Sequence, residues 1–218
     1  MKLSGPFKIP YNGKRPSKMV IFLHGVGADG HDLINLADEF EEVLDTAVFL
    51  SPNAPFPYDN FPMGYQWFSL KDYSEDKLYE GIEKSLPILK DYIDENLAAY
   101  KLEYKDLVLI GFSQGSMMAM HMAPRLGDSC LGVICYSGAL VKPSKLKDAI
   151  KSTPSIFLCH GEEDMVVPVS MHKLARQELK KMGFEVQDHI IAHLGHGISL
   201  EGIDLAKEFL KNRRNENE

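Results

Sequence analysis

The sequence predicts a single α/β domain, one mostly parallel sheet with helices on both faces. Two patterns carry that reading. Apolar, β-rich runs alternate with helical segments along the whole chain, the order that crossover connections impose on a parallel sheet. Most of those runs are apolar at every position instead of every second one, as strands buried on both faces must be. The 218 residues, 44% of them hydrophobic, suffice for one sizeable core. No internal repeat, low-complexity segment or linker divides them, so residues 1–218 are read as one domain.

The elements follow in order. "KMVIFLH" (Lys18 to His24) is a strand ended by the glycine-rich loop "GVGADG". Leu33, Leu36, Ala37 and Phe40 then fall at helical spacing, predicting a helix to about Leu44. "TAVFLSP" is a buried strand stopped by Pro52, and "NAPFPYDNFPMGYQWFSL" (Asn53 to Leu70) a long Pro- and aromatic-rich loop, a length that in compact domains usually marks function or mobility. From Ser74, the stripe Leu78, Ile82, Leu86, Leu89, Ile93 and Leu97 predicts a long amphipathic helix kinked at Pro87. "DLVLI" is a strand and "SMMAMHMA" a buried helix whose methionines pack the core. "LGVICYSG" and "PSIFLCHG" are strands separated by a short helical piece after Pro143. Val169 to Met182 is a helix with Gly183 at its C-cap. "FEVQDHIIA" is the last strand and Leu200 to Leu210 the last helix, with a frayed polar tail over about 212–218.

Composition excludes several classes of function. A net charge of −7 lacks the basic surface that nucleic acid requires, and it disfavours stable association with anionic membranes. Cys130, Cys135 and Cys159 are an odd number in no metal spacing and sit in apolar stretches, as reduced core cysteines do. No dinucleotide fingerprint appears either, so neither a metal nor another cofactor is expected. The N-terminal stretch has no apolar targeting region, and no run is long enough to span a bilayer. A cytoplasmic protein is the expectation.

The chemistry gathers at "LVLIGFSQGSMMAM" (Leu107 to Met120), where Ser113 sits on the seam between a strand and a helix. A tight strand-to-helix turn there pushes the hydroxyl out of the sheet and brings the residues two before and two after it together, so Gly111 and Gly115 remove the side chains that would clash. The helix behind the serine aims its free N–H groups and positive dipole end at the site. A serine hydroxyl needs a base, and the base an orienting carboxylate. "IFLCHGEEDMVVP" offers Glu162, Glu163 and Asp164 just past a strand. Asp164 is chosen because the apolar "MVVP" after it turns back toward the interior. "HIIAHLGHGIS" offers His189, within the strand pattern, His193 at its end, and His196 between two glycines before the last helix, where an imidazole can turn inward. The order Ser113, Asp164, His196 is that of the α/β-hydrolases and differs from both well-known serine protease orders. For the oxyanion, the glycine loop after the first predicted strand and the N–H of Gln114 are the expected donors. His24, in that loop, is expected to brace the turn.

With these pieces in place the sequence resembles the bacterial carboxylesterases of the phospholipase/carboxylesterase family, which also holds the acyl-protein thioesterases. The motifs "FLHGVGADG", "PNAP", "QWFSL", "GFSQGS", "HGEEDMVVP" and "GHGIS" run through most of the chain in family order. The resemblance implies Ser113 as nucleophile, Asp164 and His196 as its partners, and the N–H groups of Val26 and Gln114 as the oxyanion hole. The choice of Val26 within the glycine loop comes from the resemblance alone. Many members have glycine where this chain has Ser116. The glycine loop and "QWFSL" look like the bacterial esterase branch.

A minimal α/β-hydrolase sheet uses nearly all of the chain, leaving no room for a separate cap domain. The Asn53–Leu70 loop is the candidate partial cover. Met63, Trp67 and Phe68 within it, with Phe56, Tyr58 and Phe61, are candidates to wall an acyl site, and Met165 and Val167 could border it. Trp67 equally suits a plug that fixes the loop to the core. The expected reaction is hydrolysis of small soluble carboxylic esters through an acyl-enzyme on Ser113. Acyl-protein thioesterase or lysophospholipase activity is the alternative, and a binding module without catalysis a further one. A dehalogenase would need aspartate, and a dienelactone-type hydrolase usually has cysteine, at position 113. The expected partner is a small-molecule ester, and an exposed apolar edge leaves room for a homodimer.

Overall fold

The structure, a computed structural model, describes residues 2–10, 13–61 and 63–217, with side chains through residue 213. The N-terminal third forms β1 (Phe7–Lys8), β2 (Lys18–Leu23), α1 (Gly30–Ile34), α2 (Ala37–Phe40), β3 (Ala47–Leu50), β4 (Phe56–Pro57) and β5 (Tyr65–Gln66). The long helix α3 (Glu75–Tyr100) leads to β6 (Leu107–Phe112), α4 (Gln114–Met122) and β7 (Gly132–Tyr136). Then come α5 (Pro143–Lys147), β8 (Ile156–Gly161), α6 (Val169–Lys181), β9 (Val186–Ile191) and α7 (Leu200–Asn217).

Seven strands pair in the order β1-β3-β2-β6-β7-β8-β9. All pairs are parallel except β1 with β3. The continuously apolar strands are explained by where their two faces go. Met19, Ile21 and Leu23 of β2, Leu107 and Leu109 of β6, and Ile156 and Leu158 of β8 join one core with the apolar stripe of α3 and the buried residues of α4 and α6. The residues between them, Val20, Phe22, Val108, Ile110, Phe157 and Cys159, join a second core with α1, α2 and α7. Successive strand side chains point to opposite faces, so a strand covered on both sides must be apolar throughout. This is the doubly covered single-domain sheet that the sequence predicts.

Local expectations are met unevenly. The helix expected to reach Leu44 is broken into α1 and α2, because i→i+3 hydrogen bonds from Leu36 to Leu33 and from Asp38 to Asn35 tighten the chain between them. α3 runs as one helix through Pro87, the position of the expected kink. Pro87 lies on the exposed face, so the carbonyl that loses its partner faces water. The Asn53–Leu70 loop contains the small antiparallel hairpin β4–β5, pairing Phe56 with Gln66 and Pro57 with Tyr65. α7 extends to Asn217, into the segment expected to be a frayed tail, and the Arg213 guanidinium forks onto Glu185 at 2.6 and 3.0 Å. Among the described residues no helix is long and apolar enough to cross a membrane.

Candidate active site

The site lies at the carboxyl ends of β2, β6 and β8, where an open α/β sheet leaves its crevice. Ser113 lies between β6 and α4 with φ 52° and ψ −115°, a strained conformation for a residue with a side chain, costing about 1–3 kcal/mol. Its N–H donates to Tyr136 O at 2.9 Å and its carbonyl accepts from Met117 at 3.2 Å, fixing the turn from both sides. The glycines are there for contact. A Cβ on Gly111 would lie 2.5 Å from the Gly115 carbonyl carbon, and one on Gly115 only 1.8 Å from Leu23 O. Ser116 fits because its Oγ reaches both Gly111 O (2.6 Å) and Tyr136 O (2.7 Å). Its Cβ occupies the space that a side chain at Gly138 would need.

Three residues far apart in sequence meet here. His196 Nε2 is 3.0 Å from Ser113 Oγ, and His196 Nδ1 is 2.7 Å from Asp164 Oδ2. The carboxylate can only accept, so the tautomer with the proton on Nδ1 leaves Nε2 free to take the serine proton. The Phe112 ring packs against the imidazole at 4.9 Å. Asp164 is buried, and its Oδ1 accepts the N–H groups of Val166 and Val167 at 2.9 and 2.8 Å. Desolvation alone would raise its pKa. The hydrogen bonds from His196 and the two backbone N–H groups outweigh it and hold the carboxyl below its ordinary value. Glu162 and Glu163 are exposed, and Glu163 pairs with the exposed His193 at 3.1 Å. His189, on β9, packs its ring tilted against Phe157 of β8 at 5.4 Å.

Of the expected oxyanion donors, Val26 lies in the glycine loop that follows β2 and Gln114 directly follows Ser113. Among the described residues, the N–H groups of Val26 and Gln114 have no protein acceptor, and Gln114 opens α4, whose dipole favours negative charge. The loop carrying Val26 is sewn to the hairpin: Gly27 N–H donates to Tyr65 O and Tyr65 N–H to Ala28 O, both at 2.8 Å. Gly64, with φ 86°, approaches so closely that a Cβ would sit 2.1 Å from Gly27 O. His24 is a brace, as expected. Its Nδ1 donates to Gly25 O (2.7 Å) and its Nε2 accepts from Ala54 N–H (2.9 Å). Burial lowers its pKa, so it stays uncharged and has no nitrogen free to act as a base.

Part of the expected substrate wall is corrected. Trp67 is completely enclosed. Its Nε1–H donates to His24 O (3.0 Å), its N–H to Gln114 Oε1 (2.7 Å), and its carbonyl accepts from Ser85 Oγ. It is a plug joining three elements. Val167 is also buried, with its N–H and carbonyl committed to Asp164 and His160. Phe68 is 1% exposed and borders, with Phe56 and Tyr58, a cleft of about 710 Å³ beside the start of α3. No member of the Ser113–His196–Asp164 set lines that cleft. Met63 and Met165 remain open to solvent at 71% and 91%. The Gln114 side chain was missed as a functional feature. Its Nε2 donates to Phe68 O at 2.7 Å, so the residue whose N–H is the expected oxyanion donor also clamps the "QWFSL" segment. A long polar side chain between a serine and a glycine at a buried helix start was the available signal.

Residues 5–213 match the phospholipase/carboxylesterase family. Acyl-protein thioesterase 1 of Gibberella zeae is 27% identical over 209 residues, covering 88% of each chain. Esterase YpfH of Escherichia coli is 24% identical, over 94% of this chain and 87% of its own. The crystal structure of esterase PE8 is 36% identical and superposes with a TM-score of 0.92, covering 97% of this chain and 99% of that one. The chain therefore belongs to the phospholipase/carboxylesterase family, as a serine hydrolase of the α/β-hydrolase superfamily.

Proposed function

We propose that this protein hydrolyses small soluble carboxylic esters through an acyl-enzyme on Ser113, with His196 as base, Asp164 as its orienting carboxylate, and the Val26 and Gln114 N–H groups as oxyanion donors. The observation that carries the reading is the continuous hydrogen-bonded chain Ser113 Oγ–His196–Asp164, at 3.0 and 2.7 Å. His196 Nε2 takes the hydroxyl proton as Oγ bonds to the ester carbonyl carbon, and the carbonyl oxygen becomes the oxyanion. Collapse breaks the bond to the alcohol, which leaves with the proton from His196. Water then attacks the acyl-enzyme, again losing its proton to Nε2, and Ser113 is regenerated.

The preference for small soluble esters is supported by the net charge of −7, unfavourable at anionic lipid surfaces, and by a cover reduced to the β4–β5 hairpin. A second reading, acyl-protein thioesterase, is favoured by the names of relatives and by two exposed apolar side chains, Met63 in the loop between the hairpin strands and Met165 directly after Asp164. A panel of nitrophenyl esters and acyl thioesters of increasing chain length separates the two. The ester reading expects kcat/KM to peak at short acyl chains, and a peak at long-chain thioesters overturns it.

A further inference from the structure

Asp164 has a second imidazole on it. Its Oδ2, which accepts from His196, also lies 3.3 Å from Nε2 of His160. His160 is four residues earlier, near the end of β8, and 1% exposed. The same Nε2 is 2.8 Å from the carbonyl oxygen of Val167, the residue whose N–H holds Asp164 Oδ1 at 2.8 Å. Both neighbours of His160 Nε2 are acceptors, so that nitrogen carries a proton, which it donates to Val167 O while Asp164 Oδ2 lies 3.3 Å away. The carboxylate is thus surrounded by His196 Nδ1, His160 Nε2 and two backbone N–H groups.

Behind His160 the arrangement continues. Its ring meets that of His172 on α6 edge-on at 5.5 Å. His172 Nε2 is 3.5 Å from Asp188 Oδ2 on β9, and Asp188 is held by Arg176 at 2.6 Å. Between the two imidazoles, Met120, Leu158 and Ala175 enclose a void of about 10 Å³, at the lower limit for one water.

We propose that His160 is a positioning residue for the reaction: its Nε2–H, bonded to Val167 O and 3.3 Å from Asp164 Oδ2, holds the Asp164 carboxylate and the Val167 backbone in the orientation in which Oδ2 accepts from His196. An imidazole supplies a donor without the fixed charge of lysine or arginine, which would weaken the attraction of Asp164 for the imidazolium formed in the transition state. The inference rests on the Ser113–His196–Asp164 reading.

The test compares wild type, His160→Leu and His160→Gln in kcat and KM on a short nitrophenyl ester, in the rate of fluorophosphonate labelling, and in melting temperature. Leucine fills the site without a donor, and glutamine puts an amide N–H near the place of Nε2. In His160→Leu, kcat is expected to fall roughly 10–100-fold, the scale of lost outer-shell partners. KM stays within about twofold, labelling slows in parallel, and His160→Gln recovers most of the rate. Should the leucine variant not fold, His160→Asn, polar but too short to reach Asp164, is expected to show the same loss. Undiminished kcat without the donor, or a glutamine variant as slow as the leucine one, overturns the inference. A wild type that is not labelled at Ser113 overturns the catalytic reading itself, whereas a labelled wild type with a fully active His160→Leu removes only the role of His160.

Discussion

Asp164 is the residue at which burial decides chemistry. Three acidic residues follow β8, and only Asp164 is turned inward, where His196 and two backbone N–H groups hold it ionised. Asp164→Asn should therefore cost about 10⁴-fold in kcat by stabilising the wrong tautomer of His196. Glu163→Gln, which removes only an exposed pair with His193, should leave kcat within about twofold; steady-state kinetics on one ester checks both. Buried imidazoles away from the reaction set the acid stability. Burial lowers His172 to about 4 and His121 to about 3 from 6.5. Between those values and 6.5 the unfolded chain binds more protons than the folded one, so stability falls as pH drops through that window. Asp164, whose folded pKa is depressed, adds a loss of the same sign as pH falls through its folded pKa. The melting temperature should decline from pH 6.5 toward 4, and His172→Gln should flatten the decline. An unchanged slope in that variant would show that His172 is not its source.

Among the elements, the hairpin, the glycine loop and α4 act as one unit through Gln114. Its side chain bonds Trp67 N–H and Phe68 O, while the loop holds the hairpin through Gly27, Ala28 and Tyr65. Gln114→Ala keeps the backbone N–H yet leaves two buried backbone groups unpaired. It should lower stability by about 2 kcal/mol and reduce kcat as well, measured by urea unfolding and turnover; wild-type values of both would contradict the clamp. This coupling marks where the sequence was legible and where it was not. The inner strands announce themselves because both faces are buried, and Ser113, Asp164 and His196 because each residue type sits at a strand end. β1 is a two-residue edge strand with Phe7 exposed, too short for any periodicity. The hairpin strands, also two residues each, lie within a Pro-rich run that reads as loop. Whether Trp67 lines a pocket or plugs the core depends on acceptors from three distant segments, which no local pattern records. His160 escaped notice because an apolar strand ending in histidine gives no sign of what faces it.

At the scale of the whole molecule, the sheet order is what assembles the site. β2, β6 and β8 run parallel, so their carboxyl ends lie on one edge of the sheet. The glycine loop, the serine turn and the Asp164 loop therefore share one crevice, and the chain after β9 brings His196 across to meet them. Two cores fix the strands from opposite faces, so the strained turn at Ser113 is held by the rest of the fold. The central claim is that this assembly activates one hydroxyl among all the serines of the chain. The most direct test is intact mass after treatment with a fluorophosphonate, on the wild type and on Ser113→Ala. A single adduct on the wild type and none on the folded variant is the predicted result. An unmodified wild type, or an adduct that survives the substitution, would contradict it.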